Sequence, residues 1–341
     1  MFDVIAYVNQ NDLSIINNDD LKRITIINIA FAHIKSDHLY FEANENFKSN
    51  IKNLKSQNNN LKIVMSVGGW SSGGFSEIAS KENLRLQFAN ECLKLVTDLE
   101  LDGIDIDWEY PNFKLAGIKS SPDDINNFTL LLRDIRNEFN KNPNKKLILS
   151  IAAGADDYFV KNTKVQEYIN YLDYIQLMTY DYRSGFSVVT GHHTNLYTPY
   201  SDLQISSADH AVKVFSNNSV PLNKLILGVA FYSREWKNVP CDSAAESYGV
   251  YVGTTGNYGP SYDEIIENDL ENKYVKIWDD EAKASYLFGD GRFITYDDKD
   301  SIREKAEYVK SKSLRGLMFW EYRLGHKNKL TSYIGDLLNN K

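Results

Sequence analysis

Short runs of apolar, β-branched residues alternate along most of the chain with longer stretches whose apolar positions recur every three or four residues. The short runs are residues 4–7, 24–32, 62–67, 103–107, 147–153, 174–178, 225–230 and 316–319. All are of strand length and bounded by polar turns. Residues 83–99 place Leu84, Phe88, Cys92, Leu95, Val96 and Leu99 on one stripe of a helix. Ser121-Pro122-Asp123-Asp124 opens the next helix, with proline in the first turn and acids against the helix dipole. Residues 206–216 and 301–311 read as helices in the same way.

Eight strands alternating with helices predict an α/β fold, a (β/α)8 TIM barrel. A doubly wound open sheet is the structural alternative, but no GxGxxG follows any strand. One connection is abnormally long, from Trp236 to Ser311. It holds strand-like pieces at 248–252, 274–278 and 293–296 and a polar helix around 261–270. A stretch of that length needs its own structure, so a small α+β insertion between strands 7 and 8 is expected. The barrel then takes residues 1–235 and 312–341 and the insertion 236–311. The last helix of that stretch, about 301–311, is assigned to the barrel.

Composition adds limits rather than a function. The chain has 341 residues, a net charge of −8 and 43% hydrophobic residues. A globular chain of this size buries roughly three quarters of its unfolded surface and needs no staples. The acidic balance argues against nucleic acid or an anionic membrane surface as partner. No run of eighteen apolar residues occurs. Cys92 and Cys241 stand in no metal-binding spacing, so neither a metal nor a disulfide framework is expected. Met1-Phe2-Asp3 leads straight into the first strand, with no basic or apolar leader pattern. Aromatics make up 13% of the chain, a supply that suits stacking on flat apolar faces.

The candidate chemistry lies in Leu101-Asp102-Gly103-Ile104-Asp105-Ile106-Asp107-Trp108-Glu109-Tyr110-Pro111. Side chains alternate along a strand, so Asp105, Asp107 and Glu109 share one face and Ile104, Ile106 and Trp108 the other. In a barrel the apolar set faces the helices and the three carboxyls point into the lumen. Neighbouring buried acids cannot all be ionised at neutral pH. Raising one pKa while another group stays charged keeps a proton ready for a leaving group. Glu109 comes last, at the C-terminal mouth where barrel chemistry takes place, and is the natural general acid. The intervening isoleucines argue against a solvent-facing edge strand or a calcium loop.

Asp102 to Glu109 resembles the DxxDxDxE signature of family-18 glycoside hydrolases, the chitinases. Three more segments are similar to that family in the same order: Ser66-Val67-Gly68-Gly69-Trp70, Gln176-Leu177-Met178-Thr179-Tyr180-Asp181 and Gly316-Leu317-Met318-Phe319-Trp320-Glu321. An α+β insertion between strands 7 and 8 that walls the cleft is also a family feature. The resemblance implies a retaining, substrate-assisted hydrolysis of β-1,4-linked N-acetylglucosamine. Glu109 would protonate the glycosidic oxygen while the sugar's own acetamide attacks. Asp107 would steady the acetamide and Asp105 would share a proton with it, the three titrating as a group. Tyr180 matches the tyrosine on the acetamide carbonyl, and Asp181 the acid that binds the central sugar. Trp320 matches the floor of that subsite and Trp70 a stacking residue on the leaving-group side. Tyr7 and Ser66 match residues that bond the inner aspartates, and Tyr232 and Arg234 further sugar contacts. Met178 and Gly69 belong to the same substrate-facing segments, whereas Asp102 is expected to be structural.

The chain departs from the family at Glu321-Tyr322-Arg323-Leu324-Gly325, where Ser-Gly-Asp is commoner, and at Phe186, where some relatives carry Trp. His192-His193 is read as part of a solvated loop rather than a metal pair, because adjacent extended residues point apart. The resemblance implies no cofactor and a chitin or chitooligosaccharide partner. It also implies a secreted enzyme acting as a monomer, alone or within a larger assembly. The alternatives are an endo-β-N-acetylglucosaminidase on N-glycans and a non-catalytic chitin-binding lectin or subunit.

Overall fold

The computed structural model describes residues 1–143, 145–240 and 252–339. In chain order the strands among them are β1 (Asp3–Asn9), β2 (Ile26–Lys35), β3 (His38–Tyr40), β4 (Lys62–Gly68), β5 (Gly103–Asp107), β6 (Ile148–Gly154) and β7 (Tyr174–Met178). They continue as β8 (Leu225–Ala230), β9 (Tyr232–Trp236), β10 (Gly256–Ser261), β11 (Val275–Asp279), β12 (Ala284–Gly289), β13 (Arg292–Tyr296) and β14 (Gly316–Trp320). Strands β1, β2, β4 to β8 and β14 lie parallel, and β1 pairs with both β14 and β2, so the sheet closes on itself. This is the (β/α)8 barrel expected from the alternation.

Side-chain parity separates two cores. Outward residues such as Ile104, Ile106 and Trp108 pack under the helices, where Trp108 stacks on Phe75 at 5.3 Å. The helix Glu82–Asp98 contributes Phe88, Cys92 and Val96, and Asp124–Phe139 contributes Phe128, Leu131 and Ile135. Inward residues form a smaller core of Ile5, Ile26, Val64, Tyr174, Ile226 and Met318. Above that plug the lumen turns polar, which is where the acids of β5 stand. Asp102, just before β5, is held by Lys145 at 2.7 Å, Lys55 at 2.9 Å and the Ile63 N–H at 2.9 Å.

Three elements differ from expectation. Strand β2 runs on to Lys35 and turns back through Ser36 and Asp37, φ +49° and +65°, into β3. That two-residue hairpin geometry favours Asn-Gly or Asp-Gly, so Ser-Asp gave no turn signal. Between β8 and β14 an antiparallel sheet runs in the order β10-β9-β13-β12-β11, and it begins at Tyr232, upstream of residue 236. Strand β10, Gly-Asn-Tyr-Gly-Pro-Ser, has a composition that argues against a strand. Of the piece expected at 248–252, residues 248–251 lie outside the described residues, as does Cys241. Cys92 is a buried free thiol.

The helix Lys299–Lys312 precedes β14 and opens on a capping box between Asp298 and Ser301. It carries Lys305, which is fully buried with Asp297 and reaches both of its carboxylate oxygens at 2.6 and 2.8 Å. Asp297 also accepts from the Ala230 N–H at 3.0 Å and the Thr194 hydroxyl at 2.8 Å. The pair therefore joins β8, the segment after β7 and this helix. Removing one partner of such a pair leaves an uncompensated buried charge. Lys305→Met is expected to lower stability by about 3–5 kcal/mol in urea unfolding, with Asp297→Asn in the same chain recovering part of the loss. A loss under about 1 kcal/mol would contradict a structural role for the pair.

Candidate active site

Register builds the site. Asp105 stands level with Ser66 of β4 on one side and Ser150 of β6 on the other. Its carboxylate has no exposed surface and accepts from Ser150 Oγ at 2.7 Å, Ser66 Oγ at 2.8 Å, Tyr7 Oη at 2.9 Å and Gln176 Nε2 at 2.9 Å. Burial pushes its pKa up, and these four donors oppose the rise. Asp107, two residues on, is equally buried but its Oδ1 has no partner among the described residues. Burial, reinforced by the charges of Glu109 and Asp105, drives it well above the usual carboxylate range. Of this pair, Asp105 is the better stabilised anion and Asp107 the better proton holder.

The end of β4 is shaped to admit this strand. Gly68 has φ +125°, and a Cβ there would lie 2.0 Å from the Asp107 carbonyl oxygen. Gly69 has φ +92°, and its Cβ would meet the Phe31 ring at 2.8 Å. Its N–H donates to the Asp107 carbonyl at 2.9 Å. Ser66 and Gly69 thus work beneath the cleft, through Asp105 and the Asp107 backbone.

A cleft of about 600 Å³ opens above. Tyr7, Asp107, Glu109, Met178, Tyr180, Asp181, Tyr232, Arg234, Trp70 and Trp320 all line it. Burial pushes Glu109 up to about 7, the Asp181 charge adds to the rise and a hydrogen bond with Tyr110 opposes it. Asp181 goes the other way. Burial would raise it, but His193 and Arg234 outweigh that and hold it well below the usual carboxylate range. Arg234 Nε reaches Asp181 Oδ1 at 2.7 Å, with its guanidinium 4.3 Å from the Tyr258 ring centroid. The cleft thus pairs a carboxylic acid that keeps its proton with a carboxylate that keeps its charge. Trp320 stacks on Phe31 at 5.4 Å and tilts against Tyr7 at 5.5 Å, forming an aromatic floor. Tyr180 points its hydroxyl toward Met318 Sδ at 3.9 Å and packs edge-on to Tyr232. At the rim Trp70, 45% exposed, lies 6.2 Å from Phe186.

A family model described as glycosyl hydrolases family 18 matches residues 3–324. The chain belongs to glycosyl hydrolase family 18. Chitinase A1 of Niallia circulans is 35% identical over 300 residues, 82% of this chain and 42% of that protein. Chitinase 1 of Aphanocladium album is 34% identical over 79% of this chain and 63% of its own length. The chain therefore spans less than two thirds of either relative. A solved structure titled a family-18 N-acetylglucosaminidase, from Paenibacillus barengoltzii, superposes with a TM-score of 0.95 at 45% identity. That match covers 99% of this chain and all of the other.

Gln176, which opens the sixth-strand segment quoted above, completes the Asp105 cage together with Ser150, a residue the sequence did not single out although it shares the inward parity of its strand. Four further cleft-lining residues also gave no signal: Phe31 of β2, Tyr258 of β10, and Tyr110 and Asp156 from the loops after β5 and β6. Tyr258 sits within glycine-rich β10, which carried no strand signal. The histidine pair is a correction. Both rings are buried rather than solvated, His192 bonding Asp279 at 2.9 Å and His193 lying 3.7 Å from Asp181. The segment after β7 is covered by the antiparallel sheet, as the His193 N–H bond to Thr295 Oγ1 shows.

No group of three or more metal-ligating side chains is found among the described residues. A pH dependence follows from the raised Glu109. A group with an elevated pKa is protonated below it and loses its proton as pH rises through it. With Glu109 as the general acid expected from the sequence, kcat/KM is predicted to have an alkaline limb centred near pH 7. A profile flat to pH 9 would contradict it.

Proposed function

We propose that this family-18 hydrolase cleaves β-1,4 bonds between N-acetylglucosamine units by substrate-assisted retaining catalysis. The observation that carries this reading is the ascending set Asp105, Asp107 and Glu109 on one strand face, caged at the bottom and proton-bearing at the mouth. Glu109 donates its proton to the glycosidic oxygen. The acetamide carbonyl of the same sugar attacks the anomeric carbon, giving an oxazolinium-like intermediate. Asp107 is too near Glu109 along the strand to stand across the ring as nucleophile. Its unpartnered Oδ1 is instead the acceptor for the acetamide N–H. The one proton that Asp105 and Asp107 share rests on Asp107, and Asp105 keeps the negative charge because four donors already face it. Water then opens the intermediate with Glu109 as base.

Tyr180 holds the acetamide carbonyl, Asp181 and Arg234 the sugar hydroxyls, and Trp320 the flat face of the central ring. Strands β9 and β10, through Tyr232 and Tyr258, form one wall. A chitin or chitooligosaccharide substrate also makes the enzyme an extracellular one. A related solved structure, at 34% identity, is titled a cell-surface-expressed chitinase. Release of single sugars from chain ends is a second reading, favoured by the similarity to the N-acetylglucosaminidase that matches over its full length.

The test is hydrolysis of chromogenic di- and tri-N-acetylchitooligosaccharides from acid to neutral pH. Glu109→Gln is expected to bind the oligosaccharides and lose about 10²–10⁴ in kcat. Asp107→Asn is expected to lose a comparable factor and alter the pH profile. Unchanged turnover in Glu109→Gln would overturn the acid assignment. Product lengths separate single-sugar release from internal cutting. Binding without release by the wild-type protein would favour the lectin, and cleavage of N-glycans alone the endo-β-N-acetylglucosaminidase.

A further inference from the structure

His193 takes no part in the steps above, yet it is completely buried beside one of their participants. Neither ring nitrogen has a hydrogen-bond partner among the described residues. Nδ1 lies 3.7 Å from Asp181 Oδ1, the same oxygen that Arg234 Nε reaches at 2.7 Å. The ring packs against Tyr232 with centroids 5.3 Å apart. An imidazole buried with two unsatisfied nitrogens is costly, and a leucine would fill the space without that cost. A packing role alone therefore does not account for the residue.

The mount is rigid. The His193 N–H donates to Thr295 Oγ1 at 3.3 Å, and its carbonyl accepts from the Tyr182 N–H at 3.1 Å. On one side His192 is tied to Asp279. On the other, the Thr194 hydroxyl donates to Asp297 and receives Lys305 Nζ at 2.7 Å. The backbone that carries the ring is thus tied to the antiparallel sheet and the helix Lys299–Lys312, whereas Asp181 is carried by the end of β7. A movement of about 1 Å would bring Nδ1 within hydrogen-bonding distance of Oδ1.

We propose that His193 is a positioning residue for Asp181. Its neutral imidazole donates from Nδ1 to Oδ1 when sugar occupies the cleft, so that His193 and Arg234 together hold that oxygen and leave Oδ2 for the substrate. The titratable and charged groups facing the ring are Asp181 beyond β7, Arg234 and Tyr232 of β9, and Asp297 after β13. Burial, helped by the Arg234 charge, lowers the imidazole pKa against the pull of Asp181 and Asp297. A neutral donor strengthens the carboxylate without placing a second cation beside Arg234. The role of Asp181 as a sugar ligand rests on the function proposed above; the contact between the two side chains does not.

Three forms of the full chain decide the matter: wild type, His193→Leu, which keeps the bulk without a donor, and His193→Asn, which keeps a neutral donor near the Nδ1 position. On tri-N-acetylchitotrioside, His193→Leu is expected to raise KM about tenfold with kcat changed less than about threefold. Its acid limb of kcat/KM moves to higher pH, because Asp181 becomes easier to protonate. His193→Asn restores both. Wild-type KM and acid limb in His193→Leu would overturn the proposal, as would equal impairment of the two variants. If the wild-type protein cleaves no such substrate, the functional reading fails, but the Asp181 carboxyl can still be titrated by carbon NMR. A midpoint raised in His193→Leu and restored in His193→Asn supports the positioning role, and an unmoved midpoint overturns it.

Discussion

Asp105 has no contact with solvent, and its carboxylate survives there because four different strands each bring it a donor. Tyr7 comes from β1, Ser66 from β4, Ser150 from β6 and Gln176 from β7. Only a closed barrel in one register delivers all four to the same point. A one-residue slip of any of these strands would turn its donor toward the helices and leave the carboxylate short. Gln176 extends the set by accepting from Asn28 of β2 at 2.8 Å, so five other barrel strands meet around the one carboxyl group of β5. The polar cage and the closure of the barrel are one constraint.

The rest of the site takes its electrostatics from that anchor. A satisfied anion at Asp105 raises the cost of a second charge at Asp107, and a shielded position at Glu109 makes a third costly too. Both carboxyls above Asp105 are therefore pushed toward the protonated form, and Glu109 carries its proton at the mouth, where it is useful. Asp181 lies on the neighbouring side of the cleft and is treated in the opposite way, with Arg234 supplying the compensating charge. Arg234 sits on β9, so the second sheet contributes a charge to the site as well as a wall. The buried pair of Lys305 and Asp297 fixes that sheet's last connection to the end of β8.

Much of this was legible in the sequence because it follows from period two and from local order. The eight barrel strands were visible as apolar runs, and the shared face of Asp105, Asp107 and Glu109 needs only alternation. Other parts are set by contacts that no local pattern carries. Strand β10 hides behind two glycines and a proline, and β3 behind a turn made of Ser36 and Asp37. His192 and His193 lie in a polar stretch that resembles a solvated loop, and a sheet from much later in the chain covers them. Phe31 gave no signal either, since its place under Trp320 depends on barrel closure. The residues of the acid strand were thus readable one by one, whereas the place of His193 beside Asp181 became visible only with the tertiary structure.

The central claim is that Glu109 stands protonated near neutrality because of where the barrel places it. Difference infrared titration of the wild-type protein against Glu109→Gln tests this directly, by following the protonated carboxyl band that the substitution removes. The account predicts that this band is present in mildly acidic solution and disappears with a midpoint near pH 7. A midpoint near the ordinary value of 4.5 would contradict it.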